Sequence, residues 1–169
     1  MPDLYWNFTG SFFKMANKGL LEPLEEYLTA EDKEDLLDTA IDGATYKGHL
    51  WCFHMTINPM VFLINEDITK EAGAMNYLSE DGRWSYDDLL GWARTVKENT
   101  GVYPLALQLG WAGGIDYSTT QFLTGFGADI YNDDYTKVVL NSPEAAKGLA
   151  FMKQLVDEEL VAPGSTGLV

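Results

Sequence analysis

The sequence predicts an α/β fold, and three observations carry that prediction. Strand-length apolar runs alternate with stretches of helical period along most of the chain. The connections between them are short. Val61-Phe62-Leu63-Ile64 is an apolar run without polar alternation, the pattern of a strand covered on both faces. That run closes the segment Leu50 to Asn65, which is aromatic at its start and carries Pro59 in its middle. Proline cannot donate to a sheet ladder, so Pro59 marks where one strand stops and another direction begins. The segment reads as a crossing between two lobes.

In chain order, Leu4-Tyr5-Trp6 is expected to end a short strand, followed by the polar turn Asn7-Phe8-Thr9-Gly10. Turns of that kind are where α/β proteins place ligand contacts. Ser11 to Lys18 is predicted helical, with Gly19 as its stop. Glu25 to Leu28 predicts a further turn. Thr29 before Glu31 and Asp32 predicts an N-cap, and Leu36, Leu37 and Ala40 supply that helix with its apolar side. Tyr46-Lys47-Gly48-His49 predicts a hairpin-like turn. Glu66 to Glu71 predicts a short helix ended by Gly73. Ser85 with Asp88 is a capping box, and Leu89, Trp92, Ala93 and Val96 give the following helix its stripe until Gly101. Tyr103 to Gln108 predicts a buried strand, Gly110 to Gly114 a flexible loop around Trp111, and Thr119 to Phe126 a helix. Lys137 to Leu140 predicts a strand. Ser142 caps a last helix with Pro143 in its first position, and Ala145, Leu149, Met152 and Val156 are its expected buried stripe.

The totals set bounds. A chain of 169 residues, 46% hydrophobic and 13% aromatic, suffices for one domain or parts of two. Its formal net charge of −15, from 26 acidic and 11 basic residues, repels phosphate backbones, so neither nucleic acid nor anionic membrane is expected as a partner. A single cysteine, Cys52, leaves no internal disulfide and no thiolate metal cluster. No run of about 18 apolar residues predicts a transmembrane helix. The start Met1-Pro2-Asp3 lacks the basic and apolar regions of a signal peptide.

Motifs for several chemistries are missing. There is no Walker-type loop, no Gly-x-Gly-x-x-Gly, no Gly-x-Ser-x-Gly and no His-Glu-x-x-His, so neither a cofactor nor a metal is expected. His49 and His54 lack a matching cluster of further ligands. Asp129, Asn132, Asp133 and Asp134 crowd one loop without EF-hand spacing. What is present is aromatics and amides at predicted loop mouths: Trp6 with Asn7, Trp51 with His54, Trp111 with Gln108, and Tyr117. Sugars are held by flat rings stacked on their C–H faces and by amide, carboxylate or imidazole groups aimed at their hydroxyls. At Trp111 ligand contact and packing both fit. Trp6 favours ligand contact, Trp51 favours packing, and Trp84 and Trp92 are assigned to structure.

With these residues in place the chain resembles the extracellular solute-binding proteins of carbohydrate ABC transporters, the maltose-binding-protein-like solute-binding family 1. Pro2-Asp3-Leu4-Tyr5-Trp6, Gly19-Leu20-Leu21-Glu22-Pro23-Leu24 and Tyr46-Lys47-Gly48-His49-Leu50-Trp51 carry the likeness before the crossing. Phe62-Leu63-Ile64-Asn65-Glu66-Asp67, Trp84-Ser85-Tyr86-Asp87-Asp88-Leu89-Leu90 and Asn141-Ser142-Pro143-Glu144-Ala145 through Leu155-Val156-Asp157 carry it afterwards. The resemblance implies a two-lobed, periplasmic-binding-protein type II-like α/β fold, here incomplete. Residues 1–58 would be a partial first lobe and residues 59–169 a partial second lobe. It implies a hinge at Ile57, Asn58 and Pro59, and a ligand set of Trp6, Asn7, His54, Asn58, Trp111 and Asp116.

The implied activity is non-catalytic binding of a sugar or oligosaccharide that is handed to an ABC permease. The implied location is extracellular or periplasmic, the whole protein being secreted or lipid-anchored. Family members are longer, so the resemblance also implies that a signal segment, the opening strand and the later crossings are missing from this sequence. Exposed edges would then favour a homodimer or strand exchange; a monodisperse monomer in light scattering would count against that. Two other readings stand beside the leading one. One is a glycoside-active enzyme using Asp116 or Asp129 near Trp111. The other is a self-associating remnant without binding activity.

Overall fold

The computed structural model describes residues 3–6, 9–56, 60–107, 109, 117–133 and 136–165, excepting the side chains of Thr9, Gly10 and Tyr117. The chain divides into two compact units, Met1–Phe62 and Leu63–Val169.

In the first unit, α1 spans Thr9–Asn17, α2 Ala30–Glu34 and α3 Asp38–Ala44, and an antiparallel hairpin pairs β1 (Thr45–Tyr46) with β2 (His49–Leu50). The cap of α2 is the expected one: Thr29 Oγ1 accepts from the Asp32 amide at 3.1 Å, and Asp32 accepts from the Thr29 amide at 2.8 Å. The hairpin turn has φ of 53° at Lys47 and 81° at Gly48. Two positive φ values match the right-handed twist of the flanking strands, and glycine adopts one of them at no steric cost. Phe12 and Ala16 of α1 and Ala40 and Ala44 of α3 are buried. Phe13 stacks on Phe12 at 4.1 Å and meets the Tyr46 ring edge-on at 5.3 Å.

Three expectations for this part of the chain are corrected. Residues 3–6 form neither helix nor strand, and Leu4, Tyr5 and Trp6 are exposed. The helix expected to carry both Leu36 and Leu37 is split, because Leu37 is extended and its carbonyl restarts α3 by accepting from the Ala40 and Ile41 amides at 2.8 and 3.1 Å. The apolar run at 61–64 is not a buried strand: Val61 is 69% and Leu63 93% exposed. An apolar run becomes a strand only when a neighbour takes up its ladder, and no described residue pairs with this one.

In the second unit, α4 spans Glu66–Glu71, a 3₁₀ turn Met75–Tyr77, α5 Tyr86–Thr100, α6 Tyr117–Gly125 and α7 Pro143–Asp157. Side-chain oxygens of Asn65, Ser85 and Ser142 accept from the amides of Ile68, Asp88 and Ala145, closing the starts of α4, α5 and α7. The expected stripe of α5 is buried in full, at Leu89, Trp92, Ala93 and Val96. It packs with Leu105, Phe122, Phe151, Met152 and Leu155 in one core.

The stripe of α7 is corrected. Gly148 and Leu155 are buried in place of Leu149 and Val156, which are 53% and 38% exposed. A Cβ at Gly148 would stand 3.0 Å from the Phe122 carbonyl oxygen and 3.1 Å from the Leu123 Cα. The bare glycine lets α7 meet the α6 backbone directly, which turns the helix to that face. The strands expected at 103–108 and 137–140 shrink to single bridges, Leu105 parallel to Val161 and Val138 antiparallel to Tyr131. Pro104 cannot donate, which limits the first of them. Tyr103 turns outward, with the Lys97 ammonium 3.5 Å from its ring centroid.

Arg94 on α5 bonds bidentately to Glu158 at the end of α7, both contacts at 2.6 Å, and Gln154 adds a third at 2.9 Å. The Arg94 bonds, then Gln154, hold the Glu158 carboxyl down to about 2, below its ordinary 4.5. A depressed carboxylate stabilises the fold above its unfolded value, and that contribution is lost as pH falls from about 4.5 through about 2. Both side chains are partly exposed, so the effect is at most about 1 kcal/mol. Arg94→Gln is expected to lower neutral stability by up to that amount and to flatten the acid-unfolding curve over that window, with little effect below it.

Candidate functional site

Of the residues expected to hold a ligand, the structure describes Trp6 and His54. Asn7, Asn58, Trp111 and Asp116 lie outside the described residues, as do Ile57 and Pro59 of the expected hinge. Trp6 is 87% exposed, with Leu4 at 92% and Tyr5 at 52% beside it. A large flat ring held in water costs solvation and gains no packing, which suits a surface that is covered when something stacks on it.

His54 is half-buried. Its Nε2 lies 3.9 Å from Cys52 Sγ and 3.6 Å from where a Gly43 Cβ would stand. Burial pushes the Cys52 thiol up from its ordinary value, so at neutral pH it stays protonated and is a poor nucleophile. Among the described residues no three His, Cys, Asp or Glu side chains converge as a metal site. Asn132 in the acidic loop is spent on structure, its Oδ1 accepting from the amides of Thr136 and Lys137 at 3.0 and 2.9 Å. Trp51 is likewise structural: its Nε1 donates to the Tyr46 carbonyl at 2.7 Å, and its ring meets the His49 imidazole edge-on at 5.8 Å.

The sequence reading missed the partner of His49. Glu25 reaches across from the loop before α2, where one carboxylate oxygen contacts His49 Nδ1 and the other accepts from the Leu50 amide at 3.1 Å. Hydrogen bonding from His49 is the main cause holding the Glu25 carboxyl below its ordinary value. No local pattern announces a pair 24 residues apart. Glu25, Lys33, Leu36, Ile41 and Leu50 also line a cavity of about 190 Å³. That is below the roughly 300–1,000 Å³ of pockets that enclose organic ligands of drug size, so the cavity does not suit an oligosaccharide.

Residues 1–167 match the model of a family described as bacterial extracellular solute-binding protein. The chain is 24% identical over 151 residues to the maltotriose-binding protein of Pyrococcus abyssi, covering 89% of this chain and 30% of that protein. Among solved structures, the GacH receptor of Streptomyces glaucescens GLA.O matches with a TM-score of 0.61 and 22% identity, over 90% of this chain and 37% of the other. That receptor was solved unliganded and with acarbose and an acarbose homolog. Maltose-bound T. maritima MalE3 matches with a TM-score of 0.60 and 20% identity, over 88% of this chain and 37% of the other. The chain therefore spans about a third of the length of these relatives. The structural likenesses establish the fold: this is part of a periplasmic-binding-protein α/β fold, as the sequence led us to expect. Nothing in the comparisons supports self-association.

Proposed function

The chain belongs to the bacterial extracellular solute-binding protein family, and on that premise we propose that it contributes to the binding of a carbohydrate, of oligosaccharide class, for delivery to an ABC permease outside the cytoplasmic membrane. No bond of the sugar is broken in this reading. The two units serve as parts of the first and second lobes, and Ile57, Asn58 and Pro59 as the hinge. Trp6, Asn7, His54, Asn58, Trp111 and Asp116 face the sugar. The observation that carries the proposal is the exposed Trp6 ring in a chain that matches this family over residues 1–167. The maltotriose named for one relative and the maltose and acarbose named for others make malto-oligosaccharides the first class to try.

Tryptophan fluorescence titrated with mono- and oligosaccharides tests the site. Trp6→Ala is expected to weaken binding about thirtyfold, the loss of about 2 kcal/mol that a principal aromatic contact carries. Trp111→Ala is expected to act in the same direction. Unchanged affinity in both variants would remove the two rings from the site.

A further inference from the structure

The outer edge of β2 is tied to the loop before α2 in an unusual way. Leu24 donates its amide to the Leu50 carbonyl at 2.7 Å, as a neighbouring strand would. The return bond does not come from backbone: the Leu50 amide donates to the Glu25 carboxylate at 3.1 Å. The other oxygen of that carboxylate meets His49 Nδ1. Leu50 is buried, whereas the His49 side chain is 52% exposed and open to protons from solvent. One carboxylate therefore joins a buried backbone donor to a solvent-accessible imidazole.

We propose that Glu25 and His49 form a pH-sensitive latch that fastens residues 24–25 to the edge of β2 and with them the Glu25 side of the adjoining cavity. Imidazoles change charge between about pH 5 and 8. Where imidazolium and carboxylate coexist the latch is closed. When pH rises and the imidazole loses its charge, Glu25 loses its counter-charge and its hold on the Leu50 amide loosens. When pH falls through the depressed Glu25 value the carboxylate is neutralised and the latch loosens from the other side. Among nearby charged groups, Lys33 of α2 lines the same cavity, Glu26 follows Glu25 in the chain, and Lys47 lies in the turn before His49. The Lys47 ammonium is bonded to Asn17 Oδ1 at 2.8 Å and stands 5.2 Å from the Tyr46 ring centroid, so it has partners of its own.

The test is an NMR pH titration of the whole chain that follows the His49 ring and the Leu50 amide together. The Leu50 amide shift is expected to titrate with the His49 midpoint. Its hydrogen-exchange protection, corrected for intrinsic rate, is expected to fall about two- to fivefold as the imidazole deprotonates, the range of an exposed ion pair. Glu25→Gln keeps an acceptor oxygen without the charge, and His49→Gln keeps a donor without the titration; each is expected to abolish the pH dependence between about pH 5 and 8, with His49→Gln leaving only the acid limb that belongs to Glu25. If one variant is unfolded the other still decides. Protection at Leu50 that stays constant through the His49 titration, or a pH dependence that survives Glu25→Gln, would overturn the latch.

Discussion

Trp92→Ala is expected to lower the stability of the second unit by about 3–5 kcal/mol, the usual cost of deleting a large buried aromatic. Domains are stable by only about 5–15 kcal/mol, so most of the cooperative unfolding transition should be lost or moved to low temperature. Trp92 is buried, lies 5.4 Å from the Trp84 ring, and donates through Nε1 to Thr69 Oγ1 at 3.3 Å. Thr69 is fully buried and donates in turn to the Asn65 carbonyl at 2.8 Å, so the indole joins α5 to the cap of α4. Thr69→Val keeps the shape and removes both bonds, and should cost about 1 kcal/mol. Urea unfolding followed by far-ultraviolet circular dichroism measures both. A loss under about 1 kcal/mol for Trp92→Ala would mean that the α4–α5 contact does not organise this unit.

Gly148→Leu is the second large effect. The atoms nearest a Cβ at Gly148 include α6 backbone, the Phe122 carbonyl and the Leu123 Cα. Backbone cannot rotate away as a side-chain tip can, so α6 must move off α7. Overpacking of this kind costs about 1–3 kcal/mol, and the upper end is expected here. The separation should also loosen the ring cluster in which Tyr86 stacks on Phe126 at 4.1 Å and meets Phe151 at 5.0 Å. Gly148→Ala sets about 1 kcal/mol of improved helix propensity against a mild clash, so a near-neutral result is expected. Thermal unfolding of the two variants side by side separates crowding from propensity.

What the sequence revealed most clearly was what a few neighbouring residues decide. The Thr29–Asp32 and Ser85–Asp88 boxes, the Lys47–Gly48 turn and the Ser142–Pro143 start each place donor and acceptor within four positions, so their geometry follows from local pattern alone. Strands were read less well. Whether 61–64 joins a sheet depends on a partner far along the chain, which the local apolar run does not supply, and 137–140 finds only the single nearby bridge from Val138 to Tyr131. The face of α7 was misread because a hydrophobic pattern counts Leu149 and Val156 and passes over Gly148, whose missing side chain sets the packing. The family was legible. The Glu25–His49 contact was not, since it joins elements 24 residues apart.

Whether this chain takes part in binding sugar is decided by isothermal titration calorimetry of the intact chain with maltotriose. Saturable heat is expected, absent with a charged solute of similar size and reduced in Trp6→Ala. No saturable heat from maltotriose or from any longer malto-oligosaccharide, in a sample whose helices are shown folded by circular dichroism, would contradict it.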